Sequence, residues 1–200
     1  MKTLRMENTP ADRPLTPTDT AAVVVAALAC GLVEKTKAYA LLCHSETNHL
    51  YDGQPYAVHL QMVYDYACKF SYLLPNVAAV TRVLAAAWTH DTIEDCRQSY
   101  NDVKAVCGLE IAEITFALTN EKGRTRKEMA NEAYYRGIRE TPYAGYVKLC
   151  DRLANVQYAK GKGHRMIAAY RNEQGAFQEA LAGLGLQPMW EELSALLAED

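Results

Sequence analysis

The chain has no two cysteines in a CxxC spacing, although it holds six: Cys30, Cys43, Cys68, Cys96, Cys107 and Cys150. Zinc ribbons and thioredoxin-like redox sites are therefore without support. Scattered cysteines beside apolar residues behave as small buried hydrophobes in a reducing compartment, so the expected setting is cytoplasmic. Long hydrophobic runs are missing as well. The longest, Ala21 to Cys30 (AAVVVAALAC), falls short of the about 20 residues that span a bilayer. Pro10, Asp12, Pro14, Pro17 and Asp19 precede it, which disfavours a signal peptide. The run predicts a buried first helix, and no membrane partner is expected. Nor is there a basic excess, since 21 Lys and Arg face 24 Asp and Glu for a net charge of −3. Binders of polymeric nucleic acid usually carry a marked positive surplus, so none is expected here. A small anionic ligand needs only a local basic patch.

What remains is a chain of 200 residues, 50% hydrophobic, without repeats or low-complexity tracts. That suffices for one domain with a real core. Residues 1–18, with three prolines among polar residues, read as a flexible N-terminal tail, and 19–200 as the domain. Thr18 or Asp19 can cap the first helix. The loop Tyr51-Asp52-Gly53-Gln54 leads into Pro55, a residue suited to a helix's first turn. From there His59, Val63, Tyr66 and Phe70 recur at helical spacing, as do Val80, Val83, Leu84, Ala87 and Trp88 beyond Pro75-Asn76. Further helices are expected over about 99–119, in the charged segment Arg124 to Arg139, over Tyr146 to Ala159, and from near His164 and Pro188. No stretch alternates with period two, so the predicted fold is an all-α, single-domain helical bundle.

The segment His90-Asp91-Thr92-Ile93-Glu94-Asp95 places one imidazole and three carboxylates directly after the apolar run LAAAW. If the helix continues, Asp91 and Glu94 share a face, and so do His90 and Glu94. Carboxylates gathered at the end of an apolar helix are costly unless a cation or a water-filled cleft compensates them. A solvated helix end is the plainer alternative. In VKLCDRLANV, Leu149, Leu153 and Val156 face the core, while Lys148, Asp151, Arg152 and Asn155 share another face. That stripe suits a metal carboxylate with phosphate-binding neighbours, or simply the wet side of an amphipathic helix. His59, on PYAVHLQMVYDYA, is by itself more often a core histidine than a ligand. Lys122, Arg124, Arg126 and Lys127 can grip phosphates, although Glu121, Glu128 and Glu132 make an exposed mixed-charge helix the alternative.

Taken in order, PYAVHL, AAAWTHDTIEDC, ALTNEKG and VKLCDRLANV resemble the HD superfamily of phosphohydrolases, particularly the RelA/SpoT-type alarmone hydrolases. The likeness covers about Leu41 to Tyr158, and the segment holding Met166, Tyr170, Glu173 and Phe177 looks like the terminal helix of such proteins. The resemblance implies an HD-type bundle in which His59, His90, Asp91 and Asp151 hold a metal. Two imidazoles and two carboxylates suit a divalent first-row ion with open positions, and manganese is the one implied by the relatives. Glu94 and Asp95 match the catalytic acidic pair. Such carboxylates orient or deprotonate a water acidified by the cation and protonate the leaving oxygen. Asn155 and Tyr170 match substrate contacts, and Lys148 precedes the metal aspartate as it does in the relatives.

The implied activity is metal-dependent hydrolysis of a nucleotide phosphate ester, first of all removal of the 3′-pyrophosphate from (p)ppGpp or a related alarmone. A nucleoside 5′-monophosphatase or another HD nucleotide phosphohydrolase comes second. A non-catalytic nucleotide-sensing HD module is the reading from another class. One departure stands out. His44 matches a non-ligand histidine that a basic, guanine-holding stretch follows in the relatives, yet Ser45 to Leu50 contains no arginine or lysine. His49 or Tyr51 can stack on a base in its place, with a surface histidine and a loop tyrosine as the plainer roles.

Overall fold

The computed structural model describes residues 15–120 and 123–198. Most of the expected tail, residues 1–14, lies outside them. Pro17–Asp19 form a 3₁₀ turn in which the Asp19 carboxylate accepts from the Thr16 backbone N–H at 2.8 Å. Asp19 thus serves that turn, and its side chain makes no cap bond to the helix that follows. This helix, α1 (Thr20–Leu28), is apolar on every side, yet only Val23 and Ala27 are buried and Val25 is 68% exposed. The expectation of a buried first helix is corrected on that point. α1 lies at the rim, where neighbours cover a single stripe.

After α2 (Leu32–Glu46) the chain makes a small hairpin, β1 (Leu50–Tyr51) and β2 (Gln54–Pro55), with Tyr51 opposite Gln54. Asp52 and Gly53 connect the strands at φ 49° and 78°. Two successive left-handed residues are what a two-residue type I′ turn requires, and Asp-Gly is a favoured pair for it. Pro55 therefore closes a strand, and α3 (Ala57–Lys69) begins beyond it, contrary to the placement of Pro55 in a helical first turn.

α4 (Val77–Thr89) starts where Asn76 Oδ1 accepts from Ala79 N at 2.9 Å. It ends just before the acidic segment, so the helix does not run on through it. His90 and Asp91 form the break, and a single turn, α5 (Thr92–Asp95), follows. The helix expected over 99–119 is in fact two, α6 (Tyr100–Cys107) and α7 (Leu109–Leu118), divided at Gly108. The remainder is α8 (Arg126–Met129), α9 (Glu132–Glu140), α10 (Ala144–Gly161), α11 (Met166–Ala180) and α12 (Gln187–Leu197).

The fold is all-α apart from the hairpin. α4 is buried from Val83 through Thr89, and α10 packs against α3, α4 and α12. Burying each Leu or Val side chain contributes about 1.5–3 kcal/mol, and the Ala85-Ala86-Ala87 run lets neighbouring helices approach closely. Consequently the C-terminal end of α4, the first turns of α3 and the middle of α10 meet at one place. Among the described residues no single helix is long and apolar enough to cross a membrane.

Gly108 adopts φ 93° and ψ 169°, a region essentially reserved for glycine. A Cβ there meets nothing within 4 Å, so Gly108→Ala tests backbone strain alone. Urea unfolding is expected to show a loss of about 1–3 kcal/mol. An unchanged midpoint would contradict the strained junction.

Candidate metal centre

Four side chains that are far apart in sequence converge where α3, α4 and α10 meet. His59 Nε2 lies 3.3 Å from His90 Nε2, 3.6 Å from Asp91 Oδ2 and 3.3 Å from Asp151 Oδ1. His90 Nε2 is 2.9 Å from Asp91 Oδ2 and 3.9 Å from Asp151 Oδ1. The tightest group is His59, His90 and Asp91, whose ligand atoms all lie within 4.8 Å of one another. Asp151 stands slightly wider and reaches the same two imidazoles.

The donor chemistry fits a divalent cation. His90 Nδ1 sits 3.0 Å from the Ala87 carbonyl oxygen, which can only accept. Nδ1 therefore carries the proton, and Nε2 turns its lone pair toward the cluster, the usual orientation of a metal-ligating histidine. The carboxylates are fixed from behind. Tyr56 donates its hydroxyl to Asp91 Oδ2 at 2.5 Å. Asp151 receives Lys148 Nζ on Oδ2 at 3.0 Å and Asn155 Nδ2 on Oδ1 at 2.5 Å. Without a cation, a proton takes its place. Burial opposes charge on His59, but the hydrogen bonds that it donates to Asp151 and Asp91 raise it to about 9. Despite their burial, Asp91 is held well below the usual carboxylate range chiefly by His90, and Asp151 by Lys148.

The acidic pair is held beside this cluster. Glu94 accepts from the Asn120 backbone N–H at 3.1 Å and from Asn120 Nδ2 at 2.8 Å. Desolvation and the charges of Asp91 and Glu94 push Asp95 up to about 7. Glu94, Asp95, Asp91, Asp151, Lys148 and Asn155 all line one cavity of about 340 Å³. A larger groove of about 610 Å³ between α3, α10 and α12 holds the Lys69–Glu192 ion pair and none of the four converging groups.

No family model matches the chain. It is similar to two proteins named guanosine-3′,5′-bis(diphosphate) 3′-pyrophosphohydrolase MESH1. The one from Mus musculus is 28% identical over 108 residues, covering 53% of this chain and 56% of the relative. The one from Danio rerio is 29% identical over 75 residues, covering 38% and 42%. The chain resembles the HD-type ppGpp hydrolases. It spans about half the length of the curated relatives it matches.

Among the expected substrate contacts, Lys148, Asn155 and Tyr170 line the cavity with the acids. Tyr170 lies under the Arg152 guanidinium at 4.9 Å, and Arg152 pairs with Glu173 at 3.1 Å. The side chains of Arg126 and Lys127, and all of Glu121 and Lys122, lie outside the described residues. His49 does not line this cavity. Its ring is stacked on Tyr56 at 4.0 Å and its Nδ1 is 3.8 Å from Asp95 Oδ2. Tyr51 is stacked on His59 at 4.8 Å and donates to Asn155 Oδ1 at 2.9 Å. Sequence reasoning did not single out Tyr56 or Asn120. The PY dipeptide was visible, but nothing local marks its hydroxyl as Asp91's partner.

A raised histidine stabilises the fold below its unfolded value of about 6.5, and that contribution is lost as the pH climbs through the folded value. For His59 the loss runs up to about 9. The metal-free protein is therefore expected to melt progressively lower from pH 7 to pH 9. Saturating Mn²⁺ should flatten that slope by replacing the proton. Parallel slopes with and without Mn²⁺ in differential scanning fluorimetry would count against a cation at this cluster.

Proposed function

We propose that the chain is a metal-dependent phosphohydrolase acting on a nucleotide phosphate ester, with the 3′-pyrophosphate of (p)ppGpp or a related alarmone as its leading substrate. The observation that carries this reading is the convergence of His59, His90, Asp91 and Asp151 beside Glu94 and Asp95 in a single cavity. His59, His90, Asp91 and Asp151 would hold the ion, and manganese is the proposed one. When bound, it supplies Lewis-acid polarisation of a phosphoryl oxygen and acidifies water.

The protein's own groups then divide the proton transfers. Glu94, fixed by Asn120, orients the attacking water and takes its proton as the oxygen–phosphorus bond forms. Asp95, raised to about 7 in the metal-free protein by its burial and the charges of Asp91 and Glu94, is the proposed acid. It gives its proton to the ribose 3′-oxygen as the phosphorus–oxygen bond breaks. Lys148 and Arg152 offer positive charge to the phosphate oxygens.

A second cavity, of about 260 Å³, adjoins the first through the shared residues Asn155 and Tyr170. Tyr51, Tyr158 and Met166 form its apolar walls, with Asp52 beside them. It suits a flat nucleobase better than a phosphate. Among the described residues no lysine or arginine lines it, and this keeps a nucleoside 5′-monophosphatase as the second reading. The six free thiols support a reducing, cytoplasmic setting.

The experiment is a panel of ppGpp, ppApp and common nucleotides with Mn²⁺, scoring released phosphate and pyrophosphate separately. Asp151→Asn is expected to lose metal and activity together. Glu94→Gln is expected to keep metal and lose about 10²–10⁴-fold in turnover. Bound metal with no hydrolysis anywhere in the panel would favour a non-catalytic nucleotide-sensing module, and undiminished turnover in Glu94→Gln would remove that residue's assigned role.

A further inference from the structure

Behind the acidic pair lies a polar assembly that takes no part in the chemistry above. His44 and His49 face each other Nδ1 to Nδ1 at 3.1 Å, and both rings lie nearly flat on Tyr56, with centroids 4.4 and 4.0 Å away. Their own centroids are 5.2 Å apart, far less than if the tyrosine separated them. The two imidazoles therefore sit side by side on one face of the phenol, joined at their edges. The opposite end of Tyr56 is tied to Asp91 through its hydroxyl. His44 is buried, which pulls it down to about 4, and burial lowers His49 as well. Both rings are therefore neutral, and one proton lies between the two Nδ1 atoms.

Beside its contact with His44, His49 Nδ1 lies 3.8 Å from Asp95 Oδ2. Asp95 needs such a partner. Glu94 is pinned twice by Asn120, whereas no hydrogen bond from another side chain holds Asp95 among the described residues. A hydrogen bond needs about 2.9 Å, so Asp95 has to turn toward His49 to accept one.

We infer that His49 is a positioning residue that orients Asp95, and that its ring is locked for this by the edge contact with His44 and the stack on Tyr56. With its proton on Nδ1, His49 shares it between His44 Nδ1 and Asp95 Oδ2. Asp95 Oδ1 is then the oxygen that carries the acid proton. The inference rests on the phosphohydrolase reading and gives His49 a role other than stacking on a base. Its ring face is already occupied by Tyr56, and it stands outside both cavities that suit a nucleotide.

The test compares His49→Phe, His49→Ala and His49→Asn on whichever nucleotide of the panel the wild type cleaves best, with Mn²⁺ stoichiometry and melting temperature measured for each. Phe keeps the aromatic face and loses the nitrogen, whereas Asn keeps a polar group near the position of Nδ1. The expected result is a fall in kcat of about 10- to 100-fold for both Phe and Ala. KM and bound Mn²⁺ should stay within twofold, and Asn should restore most of the rate. The opposite pattern, with Phe at wild-type kcat and Ala raised only in KM, would overturn the inference and return His49 to base stacking. Phe and Asn preserve enough volume to report even if Ala fails to fold. A wild type that is inert on every substrate brings down the phosphohydrolase reading, and this inference with it. An active wild type matched by His49→Phe brings down only the role assigned to His49.

Discussion

Asp91 and Asp151 expose only 17% and 12% of their side chains, so water cannot solvate either charge fully. Taking a carboxylate out of water costs several kcal/mol unless donors or opposite charges compensate it. Everything packed around the pair supplies that compensation: His59 and His90 between them, Lys148 and Asn155 on Asp151, and Tyr56 on Asp91. The same side chains belong to the helices that build the core, since His59 opens α3, His90 closes α4 and Asp151 lies within α10. The arrangement therefore ties the stability of the bundle's centre to its charge state. A cation satisfies both carboxylates and both imidazole nitrogens at once. A proton on His59 satisfies them only over part of the pH range.

Much of this was legible in the sequence, for reasons that differ by residue. The helical periods of α3, α4 and α10 follow from apolar spacing, and the stripe Lys148, Asp151, Arg152 and Asn155 does lie on one face toward the cavity. The all-α class follows from the same periodicity. Long-range pairings were not legible. Tyr56 and Asp91 are 35 residues apart and Glu94 and Asn120 are 26 apart, and nothing local encodes either contact. The break at Gly108 was hidden because apolar positions continue on both sides of it, although a glycine at φ 93° offers the plain mechanical reason. The hairpin escaped notice because strands of two residues are too short to show alternation.

That hairpin opens at Leu50, where the stretch Ser45 to Leu50, free of arginine and lysine, ends. Its Asp-Gly turn directs Tyr51 onto His59 and Asn155, and brings Gln54 Nε2 within 3.0 Å of the Tyr158 hydroxyl. Tyr158 in turn donates to Asp52 Oδ2 at 2.9 Å. The segment thus meets the adjoining cavity with phenols and a carboxylate. Aromatic faces accept any base through stacking. A carboxylate only accepts hydrogen bonds, so it favours a base edge that presents N–H groups. What this end of the cavity offers is therefore shape and hydrogen-bond acceptors rather than positive charge.

Glu94 and Asp95 are neighbours in sequence, yet the fold gives them unlike surroundings. Glu94 accepts two hydrogen bonds from Asn120. Asp95 accepts no side-chain hydrogen bond of normal length among the described residues, lies close to the charges of Asp91 and Glu94, and is pushed up to about 7. A one-turn helix such as α5 cannot impose that asymmetry, because it presents both side chains on the same short segment. The asymmetry comes from outside the turn: Asn120 arrives from the end of α7 on one side, and the His44–His49 plate from the end of α2 on the other.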